Sequence, residues 1–292
     1  MRVVLLGTAA GGGFPRWNCA CAQCSAAREG KLPARTQECA AVSGNSRDWW
    51  LLNASPDLRT QLNATPALAP GPGGTPVRGV LLTDAEAHHT TGLTGLYGAQ
   101  GPKVYASPPV LAALSPQRPL LERRAPWTWA DSFTEGGFVL AGGLVVSAHA
   151  LGSRAPGHLP GTADDRWVSA YRIEDLASGG VLVYAPRLGT WTPALDQLLT
   201  GATCVLLDGT LYAADGTDGA VPGPRRRAVA PWHLPVSGAD GSLAVLARHP
   251  GPRLVYTHFG SANPLLDPST DAWASVTAAG AGIPADGAEF VV

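Results

Sequence analysis

The stretch LLTDAEAHHTTGLTGL, residues 81–96, combines an apolar run with a dense group of ionisable side chains. Its start is typical of a buried strand. Two carboxylates, Asp84 and Glu86, then precede two adjacent histidines, His88 and His89. Side chains at the carboxyl end of a strand point into the crevice where α/β proteins build binding sites. The stretch alone leaves three interpretations open: a metal site, a cluster of catalytic bases, or a polar surface loop.

Short apolar runs recur on either side of this stretch. They are rich in β-branched and aromatic residues and are bounded by Gly or Pro, which predicts strands at 2–7, 49–55, 77–83, 103–107, 144–150, 167–175, 180–186, 203–210 and 253–259. Helices are predicted between them at 55–68, 192–201, 237–250 and 269–280, with Ser55 and Ser269 as N-caps. This order predicts an α/β fold in which helices cover the outer faces of two sheets.

The composition favours one folded domain over residues 1–292. Apolar residues make up 45% of the chain, enough for a large core, and the net charge is −1. Nucleic-acid binding needs a basic surface, and the single basic run, Arg225 to Arg227, is interpreted as a solvated loop. No stretch approaches the ~18 apolar residues of a membrane span, and the start resembles a strand more than a secretory signal. We therefore expect a cytoplasmic protein without nucleic-acid or membrane partners.

Three of the five cysteines lie within six residues. Cys19, Cys21 and Cys24 have the spacing Cys-x-Cys-x-x-Cys, in a Gly-rich loop at about 8–30 that is expected to lack regular structure. Thiolates this close can bind one tetrahedral zinc ion, and a closed site of this kind is structural. The fourth ligand is left open among His258, Ser261, Asn263 and Cys39.

Two more ionisable residues end predicted strands. Asp208 follows the apolar run CVLL, where an acid is costly unless it is paired or bound to a metal. His258 follows LVYT in the same way. Three strand ends with Asp or His favour one shared metal site that includes His88 and His89. His233, in APWHLPVS, is a candidate acid or base near this site.

Eight blocks between residue 5 and about 267 resemble the PqqB family, which acts in biosynthesis of the cofactor pyrroloquinoline quinone (PQQ). These blocks are GTAAGGGFPRWNCACAQC, RTQECAAVS, LLNASPDLRTQL, LLTDAEAHHTTGL, VYAPRLG, LLDGTLY, WHLPVS and HFGSANPLL. The resemblance implies the metallo-β-lactamase fold, a four-layer αββα sandwich with a metal at the mouth between its two sheets.

The resemblance also implies an iron-dependent oxygenase. PqqB-like proteins use Fe(II) and O₂ to hydroxylate a tyrosine ring, and iron can activate O₂ whereas zinc cannot. The implied substrate is an aromatic, Tyr- or Trp-type residue of a small peptide or amino acid, in PQQ or related natural-product biosynthesis. The implied iron ligands are His88, His89, Asp208 and His258. The implied proton donor or substrate contact is His233.

Two positions depart from the family pattern. His88 stands where the family has an aspartate, and Trp167 stands where a later Gly-His-Asn motif of the family has its histidine. A tryptophan there is expected to make the pocket more apolar and indicates a changed substrate. Asp84 and Glu86 occupy the first two positions of the His-x-His-x-Asp-His motif of hydrolytic members, and they are kept as additional candidate ligands.

Other function classes are retained beside the oxygenase. The first is a metal-dependent hydrolase of the same fold, a phosphodiesterase or lactonase, which would hold two metal ions. The second is a non-catalytic carrier that keeps the zinc site and has lost the other metal. A homodimer is also left open.

Overall fold

Two stacked β-sheets form the centre of this computed structural model, which describes residues 1–99, 101–214 and 232–292. Arg225 to Arg227 lie outside the described residues. The strands are β1 (Arg2–Gly7), β2 (Cys39–Ser43), β3 (Trp49–Leu52), β4 (Val77–Leu81), β5 (Lys103–Ala106), β6 (Thr128–Asp131), β7 (Phe138–Leu140), β8 (Leu144–Gly152), β9 (Val168–Asp175), β10 (Val181–Ala185), β11 (Cys204–Asp208), β12 (Arg253–Thr257) and β13 (Glu289–Val291).

Both sheets are mixed. The first has the order β13-β1-β2-β3-β4-β5-β6 and the second β12-β11-β10-β9-β8-β7. Strands β3 to β6 are parallel to one another, and so are β10 to β12. The remaining neighbours are antiparallel. Each sheet therefore has one edge at which the carboxyl ends of parallel strands meet, which is where α/β proteins place their sites.

Strands such as β1, β3 and β11 are buried on both faces, and each face packs on a different layer. In β1, Val3 and Leu5 point into the core between the sheets, whereas Val4 and Leu6 belong to the outer core of the first sheet. In β11, Leu206 lies in the inner core. A strand that is apolar on both faces needs cover on both sides, which helices provide.

Helices pack on the outer faces of both sheets. The described helices are Ala22–Arg28, Leu58–Ala64, Ala87–Thr90, Pro108–Leu114, Arg118–Leu121, Pro193–Leu198, Ser242–Leu246 and Asp271–Ala278. Short 3₁₀ turns occur at Pro66–Leu68, Thr91–Leu96, Ser115–Gln117 and Pro264–Leu266. The order of layers is helix, sheet, sheet, helix, as the sequence predicted. Within the described ranges, no helix combines the length and apolarity needed to cross a membrane.

All nine predicted strands are confirmed within a few residues at their ends. Four others were missed because they are short or small-residue rich: β2, β6, β7 and β13.

The predicted N-caps were wrong. The helix predicted at 55–68 begins at Leu58, because the Ser55 hydroxyl accepts from the Asp57 amide instead of capping the helix. At the last helix, Thr270 is the cap, with its hydroxyl accepting from the Trp273 amide.

Candidate metal centre

Three loops bring the predicted metal ligands together at one edge of the sandwich. His88 and His89 lie in the short helix Ala87–Thr90 that follows β4 of the first sheet. Asp208 is the last residue of β11, and His258 comes directly after β12, both in the second sheet. The site is thus built where the parallel strands of both sheets end.

The histidines present their Nε2 atoms to a common point. The Nε2 atoms of His88 and His258 lie 2.9 Å apart. The Nε2 atom of His89 is buried and has no hydrogen-bond partner among the described residues. One nitrogen from each ring lies within 4.8 Å of the others, which is the arrangement of a metal-binding group. His258 has a φ of 60°, a left-handed conformation that is uncommon for a non-glycine residue and typical of functional sites.

Hydrogen bonds on the other ring nitrogens orient these side chains. Nδ1 of His89 lies 2.9 Å from both carboxylate oxygens of Asp84. Nδ1 of His258 lies 2.7 Å from the Thr210 hydroxyl. Such contacts fix the ring and direct Nε2 toward a metal.

Asp84 and Glu86, the additional candidate ligands, have other partners. Besides His89, Asp84 accepts hydrogen bonds from the Glu86 amide at 2.8 Å and the Thr83 hydroxyl at 3.1 Å. Glu86 is paired with Arg187 at 3.3 Å. The structure therefore places Asp84 behind a histidine, as an orienting group.

Asp208 belongs to a second group of potential metal ligands, which shares His258 with the first group. Its carboxylate lies 2.6 Å from Nδ1 of His233 and accepts from the Leu188 amide at 2.9 Å. It also accepts from the amide and hydroxyl of Thr210, at 2.9 and 2.6 Å. Ligand atoms of Asp208, His233 and His258 lie within 4.8 Å of one another. Asp208 thus meets the histidine cluster through His258.

Burial and neighbouring charges set the protonation of the cluster. Burial holds the pKa of His88 well below its usual range and lowers the pKa of His258 to about 4, so both rings are neutral at pH 7. Burial also opposes the charge on His89, but the Asp84 carboxylate raises the His89 pKa. Although burial opposes ionisation of Asp84, the charge of His89 holds the Asp84 pKa well below its usual range. A metal therefore competes with a proton for His89.

Glu38 is a buried residue of this site that the sequence analysis missed. Its carboxylate lies 3.7 Å from Nε2 of His89 and accepts from the Tyr184 hydroxyl, 2.7 Å from each oxygen, and from Nδ2 of Asn53 at 3.1 Å. Burial raises the Glu38 pKa to about 7. The only local signal for Glu38 in the sequence is that an acid directly precedes the apolar run CAAVS. Its partner Tyr184 lies 146 residues away in the chain, so the sequence does not show the pair.

A cavity of about 230 Å³ opens on the cluster. The described residues that line it include His88, His233, His258, Glu86, Arg187 and Trp232. Trp167, which was expected to make the pocket more apolar, is not among the described lining residues. It is 3% exposed and belongs to the outer apolar core of the first sheet.

The three clustered cysteines form a separate candidate site. The Sγ atoms of Cys19, Cys21 and Cys24 lie within 4.8 Å of one another. The Ser261 carbonyl oxygen lies 3.8 Å from the sulfurs of Cys21 and Cys24. Of the candidate fourth ligands, Ser261 thus lies at the cluster. Cys39 lies in β2 instead, where its thiol is hydrogen-bonded to the Asn53 carbonyl.

The expectation that this loop lacks regular structure was wrong in part. Residues Ala22–Arg28 form a helix, because the Cys21 sulfur caps it by accepting from the Cys24 amide. Burial raises the pKa of Cys21 to about 11. Binding of zinc would therefore have to deprotonate this thiol.

Residues 48–259 match the model of the beta-lactamase superfamily domain, so the chain belongs to this superfamily and has the metallo-β-lactamase fold. A diphosphatase of the PhnP family has a similar fold, with a TM-score of 0.69 at 16% identity and coverage of 100% of this chain and 97% of that one.

Within this superfamily, the chain belongs to the PqqB family, which acts in PQQ biosynthesis. It is 36% identical to coenzyme PQQ synthesis protein B of Methylococcus capsulatus, over 100% of both chains. The crystal structure of Zn²⁺-bound PqqB from Methylobacterium extorquens superposes with a TM-score of 0.91 at 32% identity, also over 100% of both chains.

Proposed function

We propose that this chain is an iron-dependent oxygenase that hydroxylates an aromatic side chain of a small peptide or amino acid in PQQ or related natural-product biosynthesis. The observation that carries the proposal is the convergence of three histidine nitrogens, from His88, His89 and His258, beside a cavity. The chain's membership of the PqqB family supports the biosynthetic context.

The donor set fits a transition metal. Nε2 of His89 is buried without a partner among the described residues, and the His88 and His258 rings are neutral at pH 7, so their nitrogens are free to act as ligands. We assign the metal to His88, His89 and His258, with Asp208, which shares His258 with this group, as the candidate carboxylate ligand. When bound, Fe(II) would supply the capacity to bind and activate O₂.

The cavity and His233 would serve the substrate. In the overall reaction one oxygen atom of O₂ replaces a ring hydrogen as a hydroxyl group. The other leaves as water, with two protons and two electrons from an external reductant such as ascorbate. His233 lines the cavity and its Nδ1 is held by Asp208, so its ring is placed to donate or accept a proton beside the substrate.

The test begins with protein purified without oxygen, in which iron and zinc are counted by elemental analysis. Fe(II)-loaded protein is then given tyrosine- or tryptophan-bearing peptides with ascorbate. Oxygen uptake is followed by electrode, and the gain of one oxygen atom in the peptide by mass spectrometry. We expect oxygen uptake that is accompanied by formation of the hydroxylated peptide. Iron-loaded protein that consumes no oxygen with any such peptide would refute the proposal.

A metal-dependent hydrolase is the second candidate, and one observation favours it. The group formed by Asp208, His233 and His258 shares His258 with the histidine cluster, as neighbouring sites for two metal ions would. Two-metal sites typically catalyse hydrolytic displacement. Two catalytic metals per chain and turnover of a chromogenic phosphodiester would select this function over the oxygenase.

A further inference from the structure

Arg187 is a buried cation in the wall of the cavity with unused hydrogen-bonding capacity. The residue is 4% exposed, and its Nη1 atom makes no hydrogen bond within the described part of the chain. Its acidic neighbour is Glu86, whose Oε1 lies 3.3 Å from Nη1 as an ion pair without hydrogen-bond geometry. An unsatisfied buried donor is costly, so this atom is suited to an acceptor that enters the cavity.

The guanidinium of Arg187 is held on an aromatic ring. Its Cζ lies 4.9 Å from the ring centroid of Trp232, which also lines the cavity. The exposed Arg154 lies over the same ring at 4.2 Å. Stacking of this kind fixes the plane of a guanidinium and leaves its edge free for a planar, two-point contact with a carboxylate.

The other carboxylates of the site already have donors of their own. Asp84 is held by His89, and Asp208 by His233 and Thr210. Glu86 is half-buried at 23% exposure, and within the described ranges it accepts no hydrogen bond from Nη1 of Arg187. An incoming carboxylate therefore competes only with a loose ion pair.

We propose that Arg187 binds a carboxylate of the substrate and that Glu86 occupies Arg187 until the substrate arrives. The cavity, at about 230 Å³, is smaller than the roughly 300–1,000 Å³ of pockets that enclose drug-sized ligands. An aromatic ring near the histidines and a carboxylate on Arg187 must thus belong to the same compact unit. This inference rests on the proposed aromatic substrate and specifies it as an aromatic amino acid or peptide with a nearby carboxylate.

The test measures binding, apart from turnover. Isothermal titration of the Fe(II)-loaded protein without oxygen compares N-acetyltyrosine with N-acetyltyrosinamide, which differ in the carboxylate alone. We expect the carboxylate to bind at least about tenfold more tightly, as hydrogen bonds to charged groups typically contribute. Arg187→Gln should bring this ratio close to one, and Arg187→Lys should restore part of it.

Two further variants sharpen the result. Arg154→Gln removes the same charge from the same indole without touching the cavity, so the ratio should stay as in the parent protein. Glu86→Gln removes the competing carboxylate and should tighten binding of N-acetyltyrosine. It does so with Arg187 intact, so this test does not depend on the folding of the Arg187 variants.

Equal affinities for the two ligands in the parent protein would overturn the proposed role of Arg187. An affinity ratio that is unchanged in Arg187→Gln would do the same. Failure of both ligands to bind would overturn it as well. The proposed oxygenase activity is tested separately, since oxygen uptake with peptides can persist even if Arg187 does not bind the carboxylate.

Discussion

The Nε2 atoms of His88 and His258 lie 2.9 Å apart although 170 residues separate them in the chain. His88 follows a strand of the first sheet, and His258 follows a strand of the second. Burial keeps the pKa of both rings low, so that each offers a free nitrogen at pH 7. Each sheet alone thus contributes an incomplete set of ligands, and their packing completes it.

His88→Ala should remove the catalytic metal and spare the cysteine site. We expect iron content to fall to near zero and zinc content to stay unchanged, because the loss of one of three imidazoles leaves an incomplete site. The measurement is elemental analysis of protein purified without oxygen. His149→Ala is the matched control, since His149 lies on β8 with Ser147 as its partner. Full retention of iron in His88→Ala would contradict the assignment.

Asp84→Asn should weaken the metal without abolishing its binding. Asp84 orients His89 from behind, and the loss of such a partner typically lowers metal affinity by about 10–100-fold. Competition against a chromogenic chelator measures the change. A loss as large as that of His89→Ala would instead show that Asp84 is itself a ligand.

Cys21→Ser should release zinc and destabilise the N-terminal loop. The three thiols would hold one ion, and a structural zinc site contributes directly to folding. We expect a lower Tm, zinc near zero and unchanged iron. Cys204→Ala, which changes a cysteine of the inner core, should lower Tm while retaining zinc. Unchanged zinc content in Cys21→Ser would argue against a metal at this cluster.

At a pH above the Glu38 pKa of about 7, Tyr184→Phe should lower the free energy of unfolding by about 1.5–3 kcal/mol, the range for hydrogen bonds to charged groups. Its hydroxyl donates to the buried Glu38 carboxyl, which would lose a donor. Urea unfolding of metal-free protein provides the measurement. Tyr256→Phe removes a buried hydroxyl bonded to Ser242 and should cost only about 0.5–1.5 kcal/mol. Equal losses of unfolding free energy in the two variants would show that the bond to Glu38 is no stronger than one between neutral groups.

Gly92→Ala should destabilise the fold, whereas Gly95→Ala in the same 3₁₀ turn should not. A Cβ on Gly92 would overlap the Ser55 carbonyl oxygen, while a Cβ on Gly95 would meet nothing within 4 Å among the described residues. Because the obstacle at Gly92 is backbone, the cost should reach at least the ~1–3 kcal/mol typical of overpacking. Thermal unfolding compares the two variants, and similar Tm values would rule out this close approach.

Much of the architecture is readable from local pattern. Apolar runs bounded by Gly and Pro located nine of the thirteen described strands, because a strand with both faces buried is largely apolar. Side chains at the ends of these runs identified the candidate ligands at His88, His89, Asp208 and His258. The spacing of Cys19, Cys21 and Cys24 likewise indicates one cluster, because residues so close in the chain cannot lie far apart in space.

The roles of individual side chains were decided by tertiary structure. The only local signal for Glu38 is its place before an apolar run, since the partners that bury it, Asn53 and Tyr184, come from other parts of the chain. Asp84 and His88 lie four residues apart, yet one faces away from the metal position and the other toward it. Strand and helix periodicity are properties of neighbouring residues and are written in the sequence. Distances of a few ångströms between loops more than 100 residues apart are set only when the two sheets pack.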